Sequence, residues 1–459
     1  MNRKKSTGGK AEFYAKLTLT ALVLFSIILG ACPPLEEDPF SDTVTVLGDL
    51  TETKWIEVLL DIYERGIPVN LDLSACTPVL GSEVFKQIQQ NGEDYTPSTE
   101  ANEQDTYYQF DPRPGFWRGK ELIRTLILPE GATMIRNATD ASINKEINID
   151  EFKEESAFRH FTNLRSITGK NIELIGTLAF IDCKNLEEVN FSKAVRIMQY
   201  AFYGCTGLKR VEFEVARDVR ISAFENCTNL ENAILPYAGT ISQKAFKNCR
   251  KLTEVNFDVV TKVGEEAFRD CISLKYARFR ADPDRTTSGN PAGIIPPPDD
   301  SIIINSNAFR GCRSLQILDI RYAWNVYFAG GALADIGERL ELFLFDDQGP
   351  GPGKGGKSYG HPQTDMFLGD IEESEESEES EVDNGAVTLK SIIIWAPVIK
   401  SPDPPDPEIE YKSQIENVNG GIYHYIRDRY SYDSGKKDEE DKPILSYYID
   451  VTVQRGPAL

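Results

Sequence analysis

Residues 201–213 read AFYGCTGLKRVEF, and the same pattern returns every 22 residues on both sides of this stretch. The full pattern is an Ala-Phe pair, a Cys three residues after the Phe, a Leu three residues later and a Val-x-Phe ending. Individual copies replace the Cys, the Val or the final Phe by another residue. The Ala-Phe pairs stand at positions 157/158, 179/180, 201/202, 223/224, 245/246 and 267/268, and a seventh copy starts at 308/309. Internal repetition is therefore the strongest signal in the chain.

The spacing inside one copy predicts its local structure. Residues three apart, such as Phe202, Cys205 and Leu208, fit one face of a short helical turn. Val211 and Phe213 are two apart and fit one side of a strand. One strand and one turn cannot bury their own apolar side chains, but stacked coils can. We therefore expect an elongated stack of coils with one continuous core.

These repeats resemble the BspA-type leucine-rich repeats of bacterial surface proteins. The resemblance is close over 157–322 and looser at 69–76 and 126–135. It implies an α/β fold, a leucine-rich-repeat solenoid of short strands and short helical turns that is capped at both ends. The expected parts are a helical N-terminal cap (41–66), a solenoid (67–345) with insertions at 89–120 and 281–300, and a terminal strand with a C-terminal cap (387–459).

The first 32 residues have the features of an export signal. Basic residues open the chain, and residues 17–29 form an apolar run too short for a comfortable membrane span. The run ends in Leu-Gly-Ala-Cys32, which resembles the lipobox of bacterial lipoproteins. The resemblance implies a signal peptide (1–31), a covalent lipid on Cys32 and a solvated tether (32–40). The alternative is an ordinary secreted protein.

The composition limits the partners. The formal net charge is −22, so the chain should repel nucleic acid. Eight cysteines in an exported chain could form disulfides. However, Phe161 fills the cysteine slot of the first copy, which favours a buried, reduced ladder. No Cys pair has zinc-ligand spacing and the three histidines are far apart, so we predict no metal site and no cofactor besides the lipid.

The C-terminal third contains two kinds of sequence. Residues 346–386 are rich in Gly, Pro and Glu, which predicts a disordered loop. A phosphate-loop pattern at 351–358 lies within it, but Tyr359-Gly360-His361-Pro362 follows, which is a poor helix start. Residues 387–395 read as a further strand of the array. The stretches 421–426 and 444–453 could pair as a hairpin.

No catalytic motif is present, so we expect a protein that is not an enzyme. The expected contact surface is the outward side of the repeated strands, where mixed charges and apolar residues suit a protein partner. Its candidate residues are Glu188, Asn190, Arg210, Glu212, Asn232, Ile234, Glu254, Asn256, Tyr276, Arg278, Ile317 and Asp319. A solvated sheet face without a ligand would look the same.

The sequence thus suggests a monomeric, lipid-anchored protein on the outer surface of a bacterial cell. The resemblance implies an adhesin or surface antigen that binds a host or bacterial surface protein. Two alternatives stay open. The first is a structural or scaffolding lipoprotein of the periplasm or envelope. The remote one is an enzyme or a nucleotide binder that uses residues 351–358.

Overall fold

The computed structural model describes residues 42–90, 105–115, 117–136, 153–279, 301–320, 325–343, 391–396, 431–437, 443–447 and 450–455. Several expectations therefore lie outside the described residues. These are the signal peptide, Cys32 and its tether, the insertion at 281–300, and the loop at 346–386 with its phosphate-loop pattern. Among the described residues, no helix is long and apolar enough to cross a bilayer.

Each repeat contributes two strands, not the single strand that we predicted. The first holds the Val position, and Val211 pairs in parallel register with Ala233 of the next coil. The second is only two residues long, and its Ile197 pairs with Val219. Such a short strand has no room for the period-two pattern that identifies strands in sequence. Parallel pairing between equivalent residues gives every coil the same backbone hydrogen bonds.

The first strands of the coils form two consecutive blocks of parallel sheet. The strands of the first block are β1 (Thr43–Thr45), β3 (Val69–Asp72), β7 (Ile123–Ile127), β9 (Ser166–Thr168) and β11 (Glu188–Asn190). Those of the second block are β13 (Arg210–Glu212), β15 (Asn232–Ile234), β17 (Glu254–Phe257), β19 (Tyr276–Phe279), β21 (Ile317–Asp319), β23 (Arg339–Phe343), β24 (Ser391–Ala396) and β27 (Asp450–Arg455). Between the blocks, the amide of Lys209 donates to the carbonyl of Glu187 over 3.5 Å.

The short second strands form a separate ten-stranded sheet. Its strands are β5 (Phe85–Gln90), β6 (Asp105–Phe110), β8 (Met134–Ile135), β10 (Leu174–Ile175), β12 (Arg196–Ile197), β14 (Asp218–Val219), β16 (Thr240–Ile241), β18 (Lys262–Val263), β20 (Ser301–Ile304) and β22 (Asn325–Phe328). The described strands also form two small sheets. In one, β2 (Gly48–Leu50) pairs in parallel with β4 (Cys76–Pro78), and in the other, β25 (Ser431–Lys437) pairs antiparallel with β26 (Pro443–Tyr447).

The connection from Phe to Leu in each coil is a series of tight turns, where we predicted short helical turns, and it does not extend into a regular helix. The amide of Cys205 donates to Phe202 O and that of Leu208 donates to Cys205 O, both over 3.1 Å. The helix cannot continue because Tyr200 and Gly204 have left-handed φ angles of 56° and 70°. The three-residue spacing still points Phe, Cys and Leu into the core, as predicted.

Phenylalanine rings stack along the core. Neighbouring rings lie 4.6–5.4 Å apart, centre to centre, and are tilted by no more than 10°. The stack consists of Phe158, Phe180, Phe202, Phe224, Phe246, Phe268 and Phe309, which are all fully buried. Each coil thus buries a large apolar surface against both neighbours, which one coil alone could not do.

The N-terminal part is less regular than the array. We expected a helix over 41–66, but β1 and β2 precede it because the Thr-Val-Thr segment of β1 continues the first sheet beside β3. The helix α1 (Glu52–Arg65) begins after Thr51, whose hydroxyl accepts from the Lys54 amide, and ends at Gly66 in a left-handed conformation. Its buried face belongs to the main core and comprises Trp55, Val58, Leu59 and Ile62.

The insertion at 89–120 is partly built into the fold. We expected an interruption of the array, but β5 and β6 form an antiparallel hairpin, and β6 pairs in parallel with β8. Phe110 is fully buried, and its ring meets Trp55 edge-on at 6.1 Å. The polar composition of this segment hid its two strands from sequence analysis.

At the C-terminal end, β24 adds the expected strand beside β23. The second half of the hairpin expected between 421–426 and 444–453 overlaps two strands. Of these, β26 pairs with β25 in antiparallel fashion, whereas β27 lies parallel to β24 with Val451 opposite Ile392. Val451 and Val453 of β27 stand opposite Ile392 and Ile394 of β24, so parallel addition to this sheet places apolar residues side by side. Residues 421–426 lie outside the described part.

Candidate protein-interaction surface

The first strands of the coils form a sheet surface whose outward side is here called the outer face. It carries the predicted contact residues in two rows. In register, Arg210 stands beside Asn232, then Glu254, Tyr276 and Ile317. The second row, two residues later in each strand, runs through Glu212, Ile234, Asn256, Arg278 and Asp319. Glu188 and Asn190 occupy the equivalent outward positions of β11. The structure therefore brings the predicted residues of β13 to β21 together on one surface.

Most of these side chains are accessible. Glu188, Asn190, Arg210, Glu212, Glu254, Asn256, Tyr276 and Arg278 are exposed, and Asn232, Ile234 and Ile317 are half-buried. Asp319 is the exception, because only 2% of it is exposed. Its carboxylate lies 3.4 Å from Nε of Arg278. Asp319 therefore positions Arg278 and is not itself available to a ligand, which corrects the sequence prediction.

Several charges on the outer face are already paired. Arg210 contacts Glu212 over 3.0 Å, and Lys209 contacts Glu187 of the preceding coil over 2.9 Å. The hydrogen bond from Lys209 lowers the pKa of Glu187 and raises that of Lys209. Exposed pairs of this kind stabilise a fold little. Their effect is to leave a face of mixed, largely compensated charge.

The most favourable contact point on this face surrounds Tyr276. The tyrosine is 42% exposed and stands directly opposite half-buried Ile317 on the neighbouring strand. Exposed Lys275 and Arg278 flank it along β19. An aromatic residue beside an aliphatic one, with arginine at the edge, has the composition of a binding hot spot.

The described cysteines are all buried, and six of them occupy the same position of successive coils. The Cys205 thiol donates to the carbonyl of Phe180 over 3.1 Å, and Cys227 does the same to Phe202. Burial raises the pKa of Cys183 to about 12 and raises that of Cys205 as well. Such thiols are poor nucleophiles. In the described residues, all cysteines are free, and no cluster of three or more His, Cys, Asp or Glu residues could hold a metal.

Sequence analysis missed a second set of polar residues in the N-terminal part. Arg136, almost fully buried, lies 3.2 Å from the carboxylate of Asp111 and also binds Glu155. Arg113 bridges Asp111 and Glu155 over 3.1 and 2.8 Å. These four residues connect the insertion to the first repeat. No short motif marks them, because they come from three distant segments.

Comparison with known families confirms the repeat type. A family model described as "BspA type Leucine rich repeat region" matches six copies over residues 153–275. This segment consists of BspA-type leucine-rich repeats. They are the coils whose strands run from β9 to β18, and they include the outer-face residues from Glu188 to Asn256. No curated protein is similar enough in sequence to match the chain.

Three solved structures match the chain at low sequence identity and low TM-score. A leucine-rich repeat protein from Bacteroides ovatus is 14% identical over 68% of this chain and 71% of its own, with a TM-score of 0.32. A leucine-rich cell surface protein from Faecalibacterium prausnitzii is 18% identical over 69% and 88%, with a TM-score of 0.33. The pneumococcal vaccine antigen PcpA is 12% identical over 90% and 95%, with a TM-score of 0.26. At these values the structures assign no function to this chain.

Proposed function

We propose that this protein is a non-enzymatic interaction module that binds a host or bacterial surface protein through the outer face of its BspA-type repeats. The proposal rests on one observation. Outward residues of successive coils stand in register, and they place Tyr276, Ile317 and Arg278 together on an accessible surface. A row of coils offers an extended face instead of an enclosed cleft, which suits a macromolecule better than a small substrate.

The same proposal includes display on the outside of the cell as a monomer. A lipid on Cys32 would hold the protein on the membrane, and residues 32–40 would act as the tether. The role of adhesin or surface antigen is the specific form of this function that we favour. We also propose that α1 at one end and β24 with β27 at the other shield the apolar interior of the array.

The binding face can be tested with a soluble fragment that begins at Leu35. Its binding to matrix proteins and to whole bacteria would be compared with that of Arg210→Glu/Arg278→Glu and Tyr276→Ala variants. We expect a loss of about tenfold or more, since hot-spot residues each contribute upwards of a factor of ten. Lys262→Glu reverses an exposed charge on β18 of the second sheet and serves as the control. Unchanged binding by the outer-face variants would exclude this face.

The location can be tested by protease shaving of intact cells, with a blot for this protein and for a cytoplasmic control. Loss of this protein alone would support surface display. Survival until the envelope is broken would favour the structural or scaffolding role inside the envelope. A Cys32→Ser variant should leave the membrane fraction if the lipid is the anchor, whereas retention would contradict lipid attachment at this residue.

A further inference from the structure

An exposed cluster of two aromatic rings and one arginine lies in the N-terminal part, outside the outer face. The guanidinium carbon of Arg118 is 5.2 Å from the ring centre of Tyr63 and 5.6 Å from that of Trp117. Its Nη1 also donates to the Tyr63 hydroxyl over 3.0 Å. Trp117 is 55% exposed and Tyr63 is 41% exposed. Exposed apolar surface that is contiguous, and not scattered over single residues, marks interaction sites in proteins.

The cation in this cluster has no counter-charge in the described part of the chain. Arg118 makes no ion pair there, whereas Arg210, Arg278 and Arg310 each contact a carboxylate. An arginine has five N–H donors. Because Tyr63 accepts from only one terminal nitrogen, the remaining donors can receive a ligand. The unpaired charge stands out in a chain with a net charge of −22.

The segment that carries Trp117 and Arg118 is fixed in place. The indole nitrogen of Trp55 donates to Pro114 O over 3.1 Å, and Nζ of buried Lys120 donates to Arg113 O over 2.7 Å. Burial lowers the pKa of this lysine to about 8. Gly119, with φ +90°, lies so close to α1 that an added Cβ would be 2.3 Å from Leu59 O. A partner therefore meets a preformed site and loses little entropy in ordering it.

We propose that Tyr63, Trp117 and Arg118 form a second binding site, for a partner-protein segment that presents a carboxylate beside an apolar side chain. The planar guanidinium recognises a carboxylate through paired hydrogen bonds, and the two rings give the apolar neighbour a surface to pack on. Tryptophan, tyrosine and arginine are also the residue types that dominate binding hot spots between proteins. This site is independent of the outer face.

An anionic membrane fits the same surface less well. The adjoining helix α1 carries Glu52, Glu57, Asp61 and Glu64 against only Lys54 and Arg65. This acidic excess would repel anionic lipid headgroups around the single arginine. A single carboxylate on a peptide can contact the Arg118 guanidinium at short range, where that attraction outweighs the screened repulsion from the more distant acidic residues.

The test uses the full chain in detergent and a blocked peptide in which a single aspartate is flanked by leucines. A second peptide with asparagine in place of the aspartate is the matched probe. Tryptophan fluorescence would be followed during titration, because Trp117 lies in the site. We expect saturable binding of the aspartate peptide at millimolar concentration or below, and no saturable binding of the asparagine peptide.

Three variants distinguish residues that contact the peptide from a residue that only holds the cluster in place. Arg118→Gln and Trp117→Ala should each weaken binding of the aspartate peptide about tenfold or more, because a charged hydrogen bond or a hot-spot contact is lost. Binding to the Trp117→Ala variant would be followed by calorimetry. Gly119→Ala leaves the cluster side chains unchanged but displaces their support, and should also weaken binding. The control is Arg250→Gln, an exposed arginine of the repeats that donates to Asn248.

Circular dichroism would verify that each variant is folded. The proposal would be overturned if Arg118→Gln bound as tightly as Arg250→Gln, or if the two peptides bound equally. Absence of saturable binding at millimolar concentration would overturn it as well. Arg118-dependent binding of a uronic-acid oligosaccharide, without binding of the peptide, would replace a protein ligand by a glycan. None of these outcomes depends on the outer face, so the two sites can fail separately.

Discussion

The repeats at 153–279 and the N-terminal part at 42–136 differ in how they bury side chains and in how their charges are paired. In the repeats, Phe202, Phe224 and their equivalents stack at nearly constant spacing, and the surface charges find partners on neighbouring positions. In the N-terminal part, the cationic side chains of Arg136 and Lys120 are buried with polar partners, and exposed Arg118 has no carboxylate partner among the described residues. The repeats thus form a regular scaffold, whereas the buried cations and the exposed arginine without a carboxylate partner lie in the irregular N-terminal part.

The two regions are joined by the ionic cluster around Asp111. Glu155 belongs to the first repeat, and it binds both Arg113 and Arg136 of the N-terminal part. The interface thus combines an apolar core with buried charges. Apolar packing tolerates small shifts, but a buried ion pair does not, because an unpaired charge is costly. This cluster therefore fixes the register between the N-terminal part and the array.

The largest expected effect is in the stacked core of the repeats. Phe224→Ala removes a fully buried ring that lies 5.2 Å from Phe202 and 5.1 Å from Phe246. It should lower the free energy of unfolding by about 3–5 kcal/mol, through lost burial and a cavity. Glu212→Ala, on the outward side of β13, should change it by less than about 1 kcal/mol. Urea unfolding of both variants checks this, and equal losses would mean that the strand phase is wrong.

A smaller loss is expected in the N-terminal part. Arg136→Met leaves the buried carboxylate of Asp111 with Arg113 as its remaining partner. We expect a destabilisation of about 3 kcal/mol, at the lower end of the range for breaking a buried pair. The control is Lys170→Met, which removes an exposed contact with Glu130 and should cost at most about 1 kcal/mol.

A double variant tests whether the loss comes from the ion pair. Arg136→Met combined with Asp111→Asn should cost less than the sum of the two single changes, because the second change removes the charge that the first one exposes. Strict additivity would show that the two residues stabilise the N-terminal part separately. Urea unfolding of the four proteins in this cycle gives the coupling energy directly.

The parts of the fold that could be predicted from sequence are those that repeat. The positions of Phe224, Cys227 and Leu230 follow from 22-residue spacing, and all three are buried. The two-residue second strands were missed because they are shorter than any periodic pattern. Their existence depends on pairing with neighbouring coils, as in the contact of Ile197 with Val219.

The candidate sites were only partly accessible to sequence reasoning. Alternation along β13 to β21 identified the outer face, but it could not reveal that Asp319 is buried under Arg278. The cluster at Arg118 was not found because its hydrogen-bonding partner Tyr63 lies 55 positions earlier in the chain. Contacts of that separation are set by the fold of α1 and the insertion, and a single sequence carries no periodic signal for them.

The smallest expected effect is the change in the free energy of unfolding at alkaline pH, which has opposite signs for the buried groups of the two regions. Burial raises the pKa of the Cys183, Cys205 and Cys227 thiols, whereas it lowers the pKa of Lys120 to about 8. Above the unfolded thiol pKa of about 8.5, the unfolded chain loses protons that the folded repeats retain. Each buried thiol should then lower the free energy of unfolding by about 1.4 kcal/mol per pH unit.

The lysine should act in the opposite direction. Its folded form loses a proton near pH 8, but its unfolded form does so only near about pH 10.4, so it adds stability between these values. Because several thiols oppose one lysine, net stability should fall between about pH 9 and pH 10. Urea unfolding under reducing conditions should show a shallower fall for Cys227→Ala and a steeper one for Lys120→Met. An unchanged slope in Cys227→Ala would contradict a buried, protonated thiol at that position.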